Sequence, residues 1–337
     1  MQKKWYLLIS LVVIIGIVLY SNYVEDTKGT IKSELSRKYV HSLKFENTFP
    51  LSIASTDEFF FNNQIFLKDY ANQQIVVTNL EGKTLRTYGR RGEGPKENLL
   101  IRGFYADNLS YYTSDAEKNT ISRISFQDSL LYYYKPDFQI GISGFLKGGS
   151  IIVKGSKVQG SNTQLVFYLI NPILETKHEI DLSDFYDVNR HYSDIIFDGF
   201  FGSTPDGGLL YVPHYNNRVV KFSQTGEIEY SSKLIYDVPV LELSIRGSMV
   251  FPSGNDTPHF YSVSANEKYF FIQSSIGDKK YGTQTMIVDI YDLKNGSYSS
   301  SIRIPINENG FFPNTVRVHK NKLYLFYENH YEIFKIV

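Results

Sequence analysis

The chain has 337 residues, a formal net charge of zero and no cysteine. Neutrality removes the basic footprint of a general nucleic-acid binder. The lack of cysteine excludes disulfides, zinc–thiolate sites, cysteine nucleophiles and a lipid-modified cysteine.

The N-terminus reads MQKKWYLLISLVVIIGIVLYSNY, with Lys3 and Lys4 ahead of an uncharged run from Trp5 to Tyr20. An export signal and a membrane anchor share this pattern: a signal core is about 7–15 residues and a span about 20. No Ala-x-Ala site follows. The run therefore reads as a signal anchor over residues 1–24, contacting the membrane through residues 5–24. The lysines hold its short end in the cytoplasm. The expected location is the cell envelope, single-pass in the inner membrane with the main domain in the periplasm; cleavage would export the same domain as a soluble protein. Residues 25–37 are a polar tether whose composition is compatible with a helix.

Residues 38–47, KYVHSLKFEN, alternate like a strand and have no neighbour in sequence to pair with. The body that follows is repetitive. Residues 62–83 align without gaps on residues 206–227, placing Ile65 on Leu209, Asn72 on Asn216 and Gly82 on Gly226, a shift of 144. Residues 111–129 fit at a shift of 46, which places Asp115 on Asp69. Each unit runs from a strand of short side chains to a hydrophobic strand, an Asp/Asn turn, an alternating strand and a last strand. Four strands in about 46–50 residues is the signature of a β-propeller blade. Tyrosine (27) and phenylalanine (24) fall mostly within these strand-like runs, where aromatics suit pleated, half-buried surfaces.

The expected fold is therefore all-β: a six-bladed β-propeller over residues 38–337, preceded by one hydrophobic helix. The units lie near 51–90, 98–135, 140–182, 195–237, 258–304 and 311–337, and 238–257 is a long loop. The last unit stops in its third strand. Residues 38–47 should supply its fourth and close the ring, because an open edge is a pairing liability.

The segment YGRRGEGPKE, residues 88–97, follows the outer strand of the first unit. It reads as the connector that returns the chain from rim to axis, with glycine and proline fixing the turn. A phosphate cradle would need a helix next, and NLLIRGFYAD is a strand. Asp69 and Asp115 recur at one turn, which marks them as turn-makers. His214 and His330 fall in turns and read as exposed polar residues.

The repeated IFLKDYANQQIVVTNLEGK and LLYVPHYNNRVVKFSQTGE resemble NHL-type repeats. The connector, through Gly89, Gly92, Gly94, Pro95 and Glu97, resembles the Gly-x-x-Gly-x-Gly-Pro loop of six-bladed propellers common in Bacteroidetes; Lys96 departs from their usual glycine. The resemblance implies a surface location and no established reaction. Many members are lipoproteins, so a chain without cysteine must be anchored differently. Some six-bladed propellers are calcium-dependent lactonases and some NHL-type ones zinc-dependent lyases, with ligands projecting from several blades into the channel. No two of the seven histidines have metal-motif spacing, and no Gly-x-Ser-x-Gly elbow is present.

The leading expectation is a non-catalytic binding or scaffold module for a protein, peptide or glycan ligand, with no nucleic acid and no cofactor. The alternative is a metal-dependent hydrolase or lactonase using Ca²⁺ or Zn²⁺ in the channel. Candidate ligand contacts are Arg90, Arg91 and Arg102 at the first blade joint, Arg246 and Arg317 near later ones, and His259, which begins an inner strand. Guanidinium groups fork onto carboxylate or phosphate oxygens, so an anionic or polar ligand is expected.

Overall fold

The structure is a computed structural model that describes residues 32–33, 37–39, 42–160, 162–174, 176–238, 241–246, 249–252, 258–276, 286–307 and 309–337. The expected hydrophobic helix of residues 1–24 lies outside them. Among the described residues no helix is long and apolar enough to cross a membrane.

Six four-stranded antiparallel sheets follow one another along the chain. Blade 1 is built from Ser55–Phe61, Gln64–Asp69, Gln74–Asn79 and Thr84–Tyr88. The inner strands of blades 2 to 6 are Ile101–Ala106, Gln139–Phe145, Gly199–Ser203, Phe260–Ala265 and Thr315–His319. The fold is thus the six-bladed β-propeller that the repeat implies. One four-residue helix, Ser193–Ile196, precedes blade 4.

Neighbouring blades stack face to face, so a middle strand is buried on both faces and reads as a continuous apolar run. Ile65, Phe66 and Leu67 are all buried. Six apolar clusters result, one per blade interface. Phe66, Ile75 and Val77 of blade 1, for example, meet Ile101, Phe104 and Ile124 of blade 2. Outer strands such as Thr84–Tyr88 are exposed and polar. The turns between third and fourth strands repeat a single device: Asn79 accepts from the backbone N–H of Glu81 and Lys83, and Asn171 from Ile173 and Leu174. Ser125 and Ser223 do the same in blades 2 and 4.

Inner strands carry small residues because they crowd towards the axis. A Cβ on Gly103 would lie 2.6 Å from the Ser143 carbonyl of the next blade. Serine hydroxyls tie blade 5 to blade 6: the Val316 and Val318 N–H groups donate to Ser262 and Ser264 Oγ at 3.2 and 2.9 Å.

Ring closure uses Leu43–Pro50, which pairs antiparallel with His330–Ile336 as the outer strand of blade 6. It begins later than residue 38 because the preceding residues are engaged elsewhere. Arg37 is buried against Asp289 of blade 5, and Tyr39 bridges Ser301. Lys32–Ser33 is extended and pairs with Tyr236–Asp237, so this part of the tether is strand and not helix. The expected loop 238–257 contains a hairpin, Leu243–Arg246 with Met249–Pro252. Its four-residue strands are too short to leave a repeat signature.

Candidate functional site

All six inner strands line one central cavity of about 580 Å³, within the range of small-molecule sites. These strands run in one direction. Their first residues therefore share one face of the disc, called the upper face here, and their last residues the lower.

Near the upper end, four inner strands carry a β-bulge. The register shifts between Ser55 and Glu58, Ile101 and Gly103, Ile140 and Ile142, and Phe260 and Ser262. A bulge re-aims side chains and commonly sits beside a functional site. Asp57, Arg102, Gly141 and Tyr261 occupy these irregularities, and all four line the cavity. Equivalent positions of the repeat thus offer the channel a carboxylate, a guanidinium, an open gap and a phenol.

Arg102 is exposed and lines the cavity without a side-chain partner among the described residues. Lys68, from the second strand of blade 1, joins it there, also without one. Deeper in, Arg317 crosses from blade 6 to blade 1. It donates to Asp57 Oδ1 at 2.8 Å and to the Glu58 carbonyl at 3.0 Å, with only 12% of its side chain exposed. Beside it the Glu58 carboxyl is fully buried and accepts from the Thr315 hydroxyl, while Oε1 has no partner. Burial raises the Glu58 pKa above the usual carboxylate range, and Arg317 only partly opposes this.

Blade 4 contributes Asp198 and His214. The Asp198 side chain is 54% exposed and accepts from Lys154 at 2.6 Å, an ammonium only 6% exposed behind it. Burial pushes the Asp198 pKa upward, but the Lys154 charge and hydrogen bond outweigh it and keep this carboxyl below its ordinary value. His214 Nδ1 lies 2.8 Å from the Phe260 carbonyl oxygen. A carbonyl only accepts, so that nitrogen carries the proton, and Nε2 is the acceptor in the neutral ring. The ring packs 5.2 Å from Phe200.

At the lower end His319 stacks on Phe60, with centroids 4.8 Å apart and planes 8° from parallel. Burial, then the charge of Lys320, holds its pKa below the ordinary histidine value.

Arg102 and Arg317 line the cavity, as their places in the repeat suggest. Arg90, Arg91 and His259 are not among the lining residues. Arg90 is 79% exposed and donates to Glu97 at 2.7 Å. Glu97 also accepts from the Gly94 N–H at 2.9 Å, and Lys118 donates to the Gly94 and Glu97 carbonyls, so the connector is tied to its own residues and to blade 2. His259 is half-buried, with its ring 6.2 Å from Tyr215. Arg246 ends a strand of the short hairpin, and its side chain lies outside the described residues. His214, read from sequence as an exposed turn residue, is half-buried and faces the channel. Asp69 and Asp115 are turn-makers, accepting from backbone N–H groups two and three residues on.

Among the described residues no three His, Asp or Glu side chains come together to hold a metal ion.

No family model matches the chain, and no curated protein sequence does. Solved structures do. A member of the DUF4221 family from Bacteroides vulgatus superposes with a TM-score of 0.56 at 12% identity, covering 90% of this chain and 99% of that one. A Bacteroides fragilis protein described as exported gives 0.52 at 12% identity, covering 90% and 97%. Virginiamycin B lyase from Staphylococcus aureus gives 0.52 at 12% identity, covering 88% and 100%. At such identities these likenesses establish the six-bladed fold that the chain shares with them.

Proposed function

We propose that the chain is an extracytoplasmic binding or scaffold propeller, anchored in the inner membrane through residues 5–24, that takes a small anionic or polar ligand at the upper mouth of its channel. The observation that carries this reading is Arg102. A bulge turns it into the cavity, and it has no partner among the described residues. An exposed guanidinium in a concave site is a ready fork for a carboxylate or phosphate. Lys68 adds a second cation with no side-chain partner among the described residues. Two neighbouring cations are already engaged: Arg317 by Asp57 and Lys154 by Asp198.

The lysine-flanked uncharged run supports the envelope location, and the fold shared with an exported Bacteroides protein agrees with it. The strand–turn–strand repeat and the glycine-rich connector support kinship with NHL-like propellers of Bacteroidetes.

The test is calorimetric titration of the propeller with uronic acids, acidic oligosaccharides and peptide carboxylates. At least one class should bind, and Arg102→Ala with Lys68→Ala should abolish that binding while the melting temperature stays unchanged. Binding that survives both substitutions would refute the assignment of the site.

A further inference from the structure

The cations Lys68 and Arg102 and the most exposed carboxylate of the upper mouth lie on different blades. In a ring of six, blade 1 stands opposite blade 4 and blade 2 opposite blade 5. Lys68 and Arg102, both without a side-chain partner among the described residues, come from blades 1 and 2. The most exposed carboxylate of the upper lining, Asp198, leads into blade 4. Its counter-ion Lys154 comes from blade 3 and lies behind it, almost wholly shielded. Asp57, on blade 1, also lines the upper mouth; its charge is offset by Arg317 as that of Asp198 is by Lys154, and Asp198 is the more exposed of the two. The wall beside Asp198 is aromatic, with Phe200 and Tyr261 lining the same cavity. Carboxylate and aromatic faces together suit an ammonium group, because both attract a cation and neither needs a proton from it.

We propose that the ligand of this mouth is dipolar: a short peptide with free termini, its carboxylate on Arg102 and Lys68 and its ammonium at Asp198. The proposal rests on the anion site proposed above and adds the second, opposite pole. A purely anionic ligand would leave Asp198 facing its negative charge across the cavity. A ligand with a distal ammonium turns that repulsion into attraction, so both ends contribute to specificity. The cavity volume of about 580 Å³ admits a ligand of this size.

The probes are trialanine, N-acetyl-trialanine and trialanine amide, titrated calorimetrically into the wild-type chain. Trialanine should bind, and each blocked form should bind at least about tenfold more weakly, the factor that one lost charge-assisted contact produces. Arg102→Ala with Lys68→Ala should weaken trialanine and make it indifferent to amidation; Asp198→Asn should make it indifferent to acetylation. Because removing Asp198 leaves Lys154 without its partner and could unfold blade 4, the wild-type comparison stands as the independent arm. If acetylated and free trialanine bind alike while the amide is weak, the dipolar ligand is refuted and the anion site stands. If the amide binds as well as free trialanine, the dipolar ligand is refuted, and the acidic sugars decide the anion site separately. If none of the three binds at millimolar concentration, the peptide class is refuted, and the acidic sugars decide the anion site separately.

Discussion

Arg37 and Asp289 are 252 residues apart and form a two-pronged ion pair at 2.9 and 2.8 Å, with both side chains shielded from water. Asp289 also accepts from Ser301, and the guanidinium lies 4.4 Å from the centre of the Tyr236 ring. Burial works against the charged guanidinium, but the Asp289 carboxylate more than compensates, so the Arg37 pKa is raised further. The N-terminal segment is thus latched onto blade 5 before it completes blade 6.

A buried charge stripped of its partner is expensive. Arg37→Ala should cost about 3–5 kcal/mol in urea unfolding, and Asp289→Ala a similar amount. An apolar pair of similar volume, Arg37→Met with Asp289→Leu, should recover most of the loss. A single substitution that shifts stability by less than about 0.5 kcal/mol would show that the latch is peripheral to the fold.

Ring closure is separable from the latch. A chain starting at Leu43 lacks Arg37 but keeps its outer strand, and should be less stable yet monomeric by light scattering. A chain starting at Leu51 exposes His330–Ile336 as an open edge and should aggregate. Identical behaviour of the two would contradict the pairing.

Glu58 gives a pH signature. Its pKa is raised in the folded state, so its protonated form is favoured there. Its contribution is therefore most favourable below the unfolded carboxylate range, near pH 4, and is lost as pH rises through the folded pKa. Glu58→Gln removes the cost of ionisation. The variant should melt above wild type at pH 8, and the difference should close towards pH 4. A variant that melts lower at pH 8 would mean that the Arg317–Glu58 attraction dominates.

In the connector, a Cβ on Gly92 would lie 2.2 Å from Glu97 Oε2, and that carboxylate is held by Arg90 and the Gly94 N–H. Gly92→Ala should lower the melting temperature by displacing Glu97. Arg90→Ala with Arg91→Ala should shift it by at most about 2 °C, since exposed charges contribute little. The reverse order would contradict the connector role.

The fold was legible because its local devices repeat. Asn79, Ser125 and Asn171 cap equivalent turns at intervals of 46, and the doubly buried middle strands stand out as apolar runs. The latch was not legible: nothing near Arg37 in sequence points to an aspartate 252 residues on. The site was half legible. Arg102 and Arg317 were picked out as arginines near blade joints. Lys68, Asp198 and His214 come from a second strand, a lead-in residue and a turn, and only closure of the ring brings them to one cavity. The bulges at Asp57, Arg102, Gly141 and Tyr261 were not legible either, since a one-residue insertion is invisible without the register.

The most direct test of the anion-binding mouth is the salt dependence of ligand affinity. An acidic ligand that binds wild type should weaken as ionic strength rises, because exposed charges are screened over about 10 Å at 0.1 M. In Arg102→Ala with Lys68→Ala, binding should be lost or the residual affinity should no longer depend on salt. A doubly substituted channel that keeps wild-type affinity and the same salt slope would contradict the account.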